Sequence, residues 1–151
     1  MAQQFLAIFE PNEQRVVSET SKALLALGPD PSSIVMDSPE GTAYQVFTAY
    51  LTNDEAAMSK FFGEFATNTC RQDNGSLVGC MAAIYNSRGL QTLQEWDVRG
   101  EDPNELDEIV YFASITTYWA ENDTCLQVVF TLVHSQRIWA ITDPPTEVST
   151  C

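Results

Sequence analysis

His134 is the only histidine in the chain, so acid–base chemistry by an imidazole would have to use it. The alternate positions before it on a strand-like segment are all apolar: Leu126, Val128, Phe130 and Leu132. This alternation predicts that the face ending in His134 is buried or lines a cavity. A carboxylate such as Asp97 or Asp143 would orient the ring, although a histidine at a strand end beside a turn also has an ordinary structural interpretation.

Aromatic residues on predicted strands are the candidate ligand contacts: Trp96, Tyr111, Trp119 and Trp139. Core packing is their simplest interpretation. If the sheet curves away from its helices, they would instead line an apolar pocket, with Tyr111 as a hydrogen-bond donor. His134 and Asp97 are the candidate catalytic pair on this hypothesis.

The stretch EWDVRGEDPNELDE, residues 95–108, is the densest in carboxylates. It does not match a calcium loop, because a loop starting at Asp97 would have Arg99 at its third position and Asp102 at its sixth. Asp102 followed by Pro103 and Glu105 is typical of a helix start. We therefore expect a helix beginning there, with a metal site or a basic-partner site as the alternatives, and no metal or cofactor for the chain as a whole.

The charge balance limits the classes of partner that the protein is expected to bind. Twenty-one acidic residues against seven Lys and Arg give a net charge of −14 in 151 residues. Such a surface repels nucleic acid and anionic membranes and suits a basic protein, although solubility alone would also explain it. The length and the 44% hydrophobic content predict a single domain over residues 1–151.

The cysteines are Cys70, Cys80, Cys125 and Cys151. They form no CxxC pair, and one histidine cannot complete a zinc-finger pattern. Cys70 and Cys80 flank a turn-rich segment and would be bridged in an oxidising compartment. Because the first residues lack the pattern of a signal peptide, we expect free thiols and a cytoplasmic location.

Helical patterns dominate the first half. We predict helices over about residues 12–27 and 38–52, and a third that opens with a capping box at Thr52–Glu55. The third helix would carry one apolar stripe: Met58, Phe61, Phe62 and Phe65.

Strand patterns dominate the second half. The apolar run at 77–85 has strand length, and an alternating segment at 90–98 follows a turn. Runs at 109–119, 125–134 and 137–143 are joined by short turns, which is typical of an antiparallel meander. The tail at 144–151 should be loose. The predicted fold class is α+β, with N-terminal helices packed on a curved antiparallel sheet.

The segments TAYQVFTAYLTNDEAAMSKFFGEF and VVFTLVHSQRIWAITD, in this order, resemble the nuclear transport factor 2-like superfamily over about residues 42–143. The resemblance implies a cone-shaped α+β fold. Members of this superfamily include isomerases, dehydratases and many non-catalytic binding domains.

Three functions follow as hypotheses. The first is a binding domain for a small apolar molecule or a protein partner, with a sheet face that supports a homodimer. The second is an isomerase, dehydratase or cyclase that uses a pocket acid or base. The third is an acidic adaptor or inhibitor of a basic partner.

Overall fold

The computed structural model describes residues 23–101, 109–135, 138–149 and 151. Its helices precede a curled antiparallel sheet of five strands and pack against it, so the predicted α+β class is confirmed. No helix among the described residues is both long and apolar enough to cross a membrane.

The four α-helices bounded within the described residues are α1 (Pro39–Leu51), α2 (Glu55–Ser59), α3 (Glu64–Asn74) and α4 (Leu77–Asn86). The sequence locates α1 correctly, because Ser38 caps its first turn by accepting the N–H of Gly41 and Pro39 fits its first position. Residues 23–25 are also helical, in agreement with the end of the helix predicted over 12–27. The rest of that helix lies outside the described residues.

The third predicted helix is wrong in its cap and in its length. Asp54, not Thr52, accepts the N–H of Ala57 and caps α2. This helix ends at Ser59, and after a turn the chain passes beside the last strand of the meander, where Gly63 donates its N–H to the carbonyl of Ile141. The predicted apolar stripe is therefore broken, because Phe61 and Phe62 lie between α2 and α3, and Phe65 is 63% exposed on α3.

The strand predicted over 77–85 is also wrong, since these residues form α4. Ser76 accepts the N–H of Gly79, and the Glu55 carboxylate accepts the N–H groups of Leu77 and Val78. All three bonds satisfy donors that a helix start leaves free.

The strands are β1 (Leu93–Gly100), β2 (Val110–Trp119), β3 (Thr124–Ser135), β4 (Ile138–Ile141) and β5 (Thr146–Ser149). The order β1-β2-β3-β4 is the predicted meander. β1 has an irregularity between Leu93 and Glu95, so the face predicted to begin at Leu90 is regular only from Trp96 onward.

The tail is not loose. β5 pairs with the first half of β3, along the same edge where β4 pairs with the second half. Glu147 on β5 forms an ion pair with Arg88, which follows α4. Cys151 forms a disulfide bond with Cys125 on β3, so three contacts hold this segment.

Both cysteine pairs are bridged, Cys70 with Cys80 and Cys125 with Cys151, each with Cα atoms 5.4 Å apart. The expectation of free thiols is therefore wrong. The first bond ties α3 to α4 across the Gly75 turn, where φ is +80° and a glycine is favoured.

Core side chains fill the concave side of the sheet, where the helices lie. Inward positions of four strands are fully buried: Trp96, Ile115, Leu126, Val128, Phe130, Leu132 and Ile141. They pack with helical residues that are equally buried: Val46, Phe47, Met58, Leu77, Met81 and Tyr85. The helices thus supply one layer of the core and the sheet supplies the other.

Candidate functional site

Three of the candidate site residues meet at one end of the sheet. His134 is the register partner of Trp139 across the β3–β4 pair, and the two rings stack with centroids 4.2 Å apart. Tyr111 packs edge-on against Trp139, with the two ring centroids 5.0 Å apart. His134, Trp139 and Tyr111 therefore form one aromatic cluster.

The environment of His134 differs from the prediction. The apolar positions before it are fully buried, but His134 itself is exposed at the end of β3. Trp139 is buried, and its indole Nε1 finds no hydrogen-bond partner among the described residues. The exposed ring thus covers a buried indole, which is a packing role.

Trp96 and Trp119 lie elsewhere in the core. The Trp96 ring packs against Phe47 at 4.7 Å and donates its Nε1–H to the carbonyl of Leu24, while Trp119 donates to the Thr117 hydroxyl. Gly28 passes the Trp96 ring so closely that an added Cβ would lie 2.3 Å from it. Both tryptophans are enclosed by packing.

Two tyrosines that the sequence did not single out are buried beside them. The Tyr85 hydroxyl forms no hydrogen bond within the described part of the chain, and burial raises its pKa far above the ordinary value. Burial also raises the pKa of Tyr50 to about 12. Both phenols therefore stay neutral at alkaline pH values where an exposed tyrosine would ionise, which suits a packed core.

Asp97 does not meet His134. Asp97 is aligned with Thr116 and, through it, with Gln127. His134 lies seven residues further along β3, or about 23 Å along the strand. Asp143 is exposed and accepts a hydrogen bond from Thr142. The candidate catalytic pair is thus separated, with Asp97 on the opposite, outward face of the sheet.

The outward face of β2, β3 and β4 has no charged side chain at any of its described positions. These positions are Val110, Phe112, Ser114, Thr116, Tyr118, Cys125, Gln127, Val129, Thr131, Val133, Ser135, Ile138 and Ala140. The acids Glu95 and Asp97 lie on the edge strand β1.

This face has two parts. We call Val110, Phe112, Val133, Ile138 and Ala140 the apolar patch. Next to it lies a polar groove of about 230 Å³, lined by Asp97, Val98, Arg99, Ser114, Thr116, Tyr118, Gln127 and Cys151. The groove depends on the register of three strands and on the disulfide-bonded tail. The sequence pattern predicted neither of these features.

Within the described ranges, no three His, Cys, Asp or Glu side chains group as a metal site. The helix predicted to begin at Asp102 lies outside these ranges. Comparison with protein-family models, with curated proteins and with solved structures gives no match.

Proposed function

We propose that the chain is a protein-binding domain that pairs with a second copy of itself through the outward face of its sheet. The observation that carries this proposal is the charge-free surface of β2, β3 and β4 in a chain of net charge −14. Depletion of charge at the centre of a surface is the compositional mark of an interface.

The apolar patch is continuous across three strands. Val110 is opposite Val133, which is opposite Ala140, so these residues form one row. Phe112 and Ile138 flank this row and are 42% and 56% exposed. Exposed side chains of this size in one area favour burial by a partner.

A second copy fits this face better than a basic protein does. A basic partner would be attracted to carboxylates. The patch residues themselves carry none, and the Glu101 carboxylate lies at the rim of the patch, where it accepts the N–H of Phe112. A twofold interface places the same surface on both sides, so two acidic copies approach at the least electrostatic cost where acids are fewest.

The size of the face sets the expected affinity. β2, β3 and β4 have 10, 12 and 4 residues, and with about 3.3 Å per residue and about 4.8 Å between strands their face covers roughly 400 Å² per copy, or roughly 800 Å² in total. This value is in the range of weak, transient interfaces. We therefore expect a dissociation constant on the order of tens of micromolar.

The other hypotheses have less support. The candidate aromatics Trp96, Trp119 and Trp139 are packed in the core, so they do not line an open pocket for a small apolar ligand. An enzyme using His134 and Asp97 would need two residues that lie about 23 Å apart along the sheet. These observations favour a binding role over a catalytic one.

Two further proposals concern origin and compartment. The order of helices followed by a curled meander supports a relationship to the nuclear transport factor 2-like domains, of the filled, non-catalytic kind. The two disulfide bonds favour an oxidising compartment over the cytoplasm that the sequence led us to expect.

Sedimentation velocity from about 1 to about 200 µM protein tests the dimer. Phe112→Arg should abolish it, because a buried guanidinium would lack a partner. Phe65→Arg is the matched control, since Phe65 is exposed on α3 away from the patch. A wild-type protein that stays monomeric throughout, or equal loss in both variants, would contradict the proposal.

Salt separates this proposal from the acidic adaptor. Raising NaCl from about 20 to about 300 mM should leave the dimer intact or strengthen it, because screening reduces repulsion between two acidic copies. An association that is lost with salt would instead indicate that the carboxylates bind a basic surface.

A further inference from the structure

Two segments of the chain match the Asn-x-Ser/Thr motif that accepts N-linked oligosaccharides. One runs from Asn74 to Ser76 and the other from Asn122 to Thr124. A motif of three residues is informative only when it lies in a surface turn of a protein that passes through a secretory compartment. The place of each asparagine in the fold therefore decides whether its motif is meaningful.

Asn122 lies at the tip of the turn between β2 and β3. Its side chain is exposed, as is that of Asp123. The backbone of Asn122 is left-handed, with φ of 55° and ψ of 30°, and Asp123 follows with φ of 51°. Two such residues in succession reverse the chain sharply. A sugar attached to the Asn122 Nδ2 would thus extend into solvent and leave both layers of the core unchanged.

The disulfide bonds supply the second condition, and they are independent of the motif. Both cysteine pairs are bridged, and Cys125, which is bonded to Cys151, directly follows Thr124. Bridged cysteines are the ordinary state in the compartment where N-linked oligosaccharides are attached. Attachment at Asn122 therefore depends on the oxidising compartment proposed above.

Asn74 is a poorer acceptor than Asn122. It is the last residue of α3, and its Nδ2 donates a hydrogen bond to the Cys80 Sγ at 3.5 Å. The Ser76 hydroxyl of the same motif caps α4. A sugar on the Asn74 Nδ2 would lie against the bond between Cys70 and Cys80, so its attachment competes with closure of that loop.

We propose that Asn122 carries an N-linked oligosaccharide. The donor is a lipid-linked oligosaccharide diphosphate, and a transferase of the secretory compartment catalyses the step. The Asn122 Nδ2 attacks the anomeric carbon, so an N–C bond forms and the C–O bond to the diphosphate breaks. The amide loses one proton, and the lipid diphosphate leaves with the electron pair. The product has a bulky, hydrated group at the end of the β2–β3 hairpin.

The oligosaccharide and the proposed dimer interface occupy opposite ends of the sheet. Phe112 lies seven residues before Trp119, the last residue of β2, or about 23 Å along the strand. The apolar patch therefore remains open to a second copy when Asn122 is modified. Enzymatic removal of the oligosaccharide should change the dissociation constant of the dimer by less than about twofold.

The test is secretion of the full chain from insect cells behind a cleavable export leader, followed by peptide mass spectrometry. Treatment with peptide N-glycosidase in water enriched in heavy oxygen converts a glycosylated asparagine to a labelled acid. Most molecules should be labelled at Asn122, and fewer at Asn74. An unlabelled Asn122, or a higher occupancy at Asn74, would overturn the proposal. Alkylation of the same sample tests the compartment separately, because free thiols would contradict it and bridged cysteines would leave it standing.

Variants at Thr124 and Asn122 locate the modification. Thr124→Ser keeps the motif and a hydroxyl that can donate to the carbonyl of Glu121, as Thr124 does, so it should keep the oligosaccharide. Thr124→Val is the matched variant that removes the motif and should lose it. Asn122→Gly should also lose it without strain in the turn, because glycine adopts a positive φ readily. An oligosaccharide that persists in Thr124→Val or Asn122→Gly would contradict the assignment to Asn122.

Discussion

Glu55 joins two helices through the two oxygens of one carboxylate. Each oxygen accepts an N–H from the first turn of α4 at 2.9 Å, one from Leu77 and one from Val78. The carboxylate therefore caps a helix more than twenty residues away and also meets the positive end of its dipole.

Replacing Glu55 by Ala should lower the free energy of unfolding by about 2 kcal/mol, because two N–H groups lose their acceptor. Glu55→Gln keeps one acceptor and should cost about half as much. Urea denaturation measures both changes. Glu64→Ala is the control, since Glu64 is an exposed acid in the first turn of α3 that forms no such bond. Equal losses at Glu55 and Glu64 would mean that the dipole alone, without the two hydrogen bonds, explains the effect.

Some residue contacts follow from the sequence and others do not. His134 and Trp139 flank a short turn, so their pairing across a hairpin follows from the meander. The meeting of Arg99 with Ser114 depends on the exact register of β1 with β2, and the sequence between these strands gives no local signal for it. The aromatic cluster was thus within reach of prediction, and the polar groove was not.

At the scale of elements, α4 shows why a short apolar run in a sequence fits a helix and a strand equally well. Its fully enclosed residues, Leu77, Cys80, Met81 and Tyr85, have helical spacing. The positions between them are also apolar and only partly buried, which hides the period of the helix in the sequence. In contrast, β3 alternates strictly between buried and less buried positions, and its prediction is confirmed.

The prediction of a loose tail at 144–151, where β5 forms, was wrong for a different reason. The four residues of β5 carry little strand pattern, and two prolines precede it. It becomes a strand because its partner β3, the ion pair with Arg88 and the bond to Cys125 all lie far away in the sequence. Contacts of this kind override local propensity.

The bond between Cys70 and Cys80 should stabilise the α3–α4 pair. It closes a short loop with a sequence separation of 10, which corresponds to about 2–3 kcal/mol of unfolded-state entropy. Cys70→Ala with Cys80→Ala should lower the free energy of unfolding by about this amount in urea denaturation. Cys125→Ala with Cys151→Ala is the comparison: hydrogen exchange should then quicken in β5 and not in α4. Faster exchange in α4 alone in that second variant would contradict the assignment of each bond to its own element.

At the scale of the whole molecule, charge and core act in opposite directions. The helices and the concave face of the sheet bury a continuous apolar core, which stabilises the fold. The net charge of −14 destabilises it, because carboxylates repel one another across a small surface. The surface without charge on β2, β3 and β4 is the place where a second copy can approach at the least electrostatic cost. The interface proposal therefore depends on the distribution of charge over the fold, which composition alone does not reveal.

This balance predicts that salt stabilises the protein. Raising NaCl from about 10 to about 300 mM at pH 7 should increase the Tm by about 2–5 °C, because screening removes repulsion between carboxylates. Differential scanning calorimetry on the Phe112→Arg variant measures this without a contribution from dimerisation. The same series near the isoelectric point, about 4.1, serves as the control, since a chain with little net charge should respond much less. A Tm that falls with salt at pH 7 would mean that ion pairs such as Arg88–Glu147 outweigh the repulsion, and the account of the charge-free face as the least repulsive approach would lose its basis.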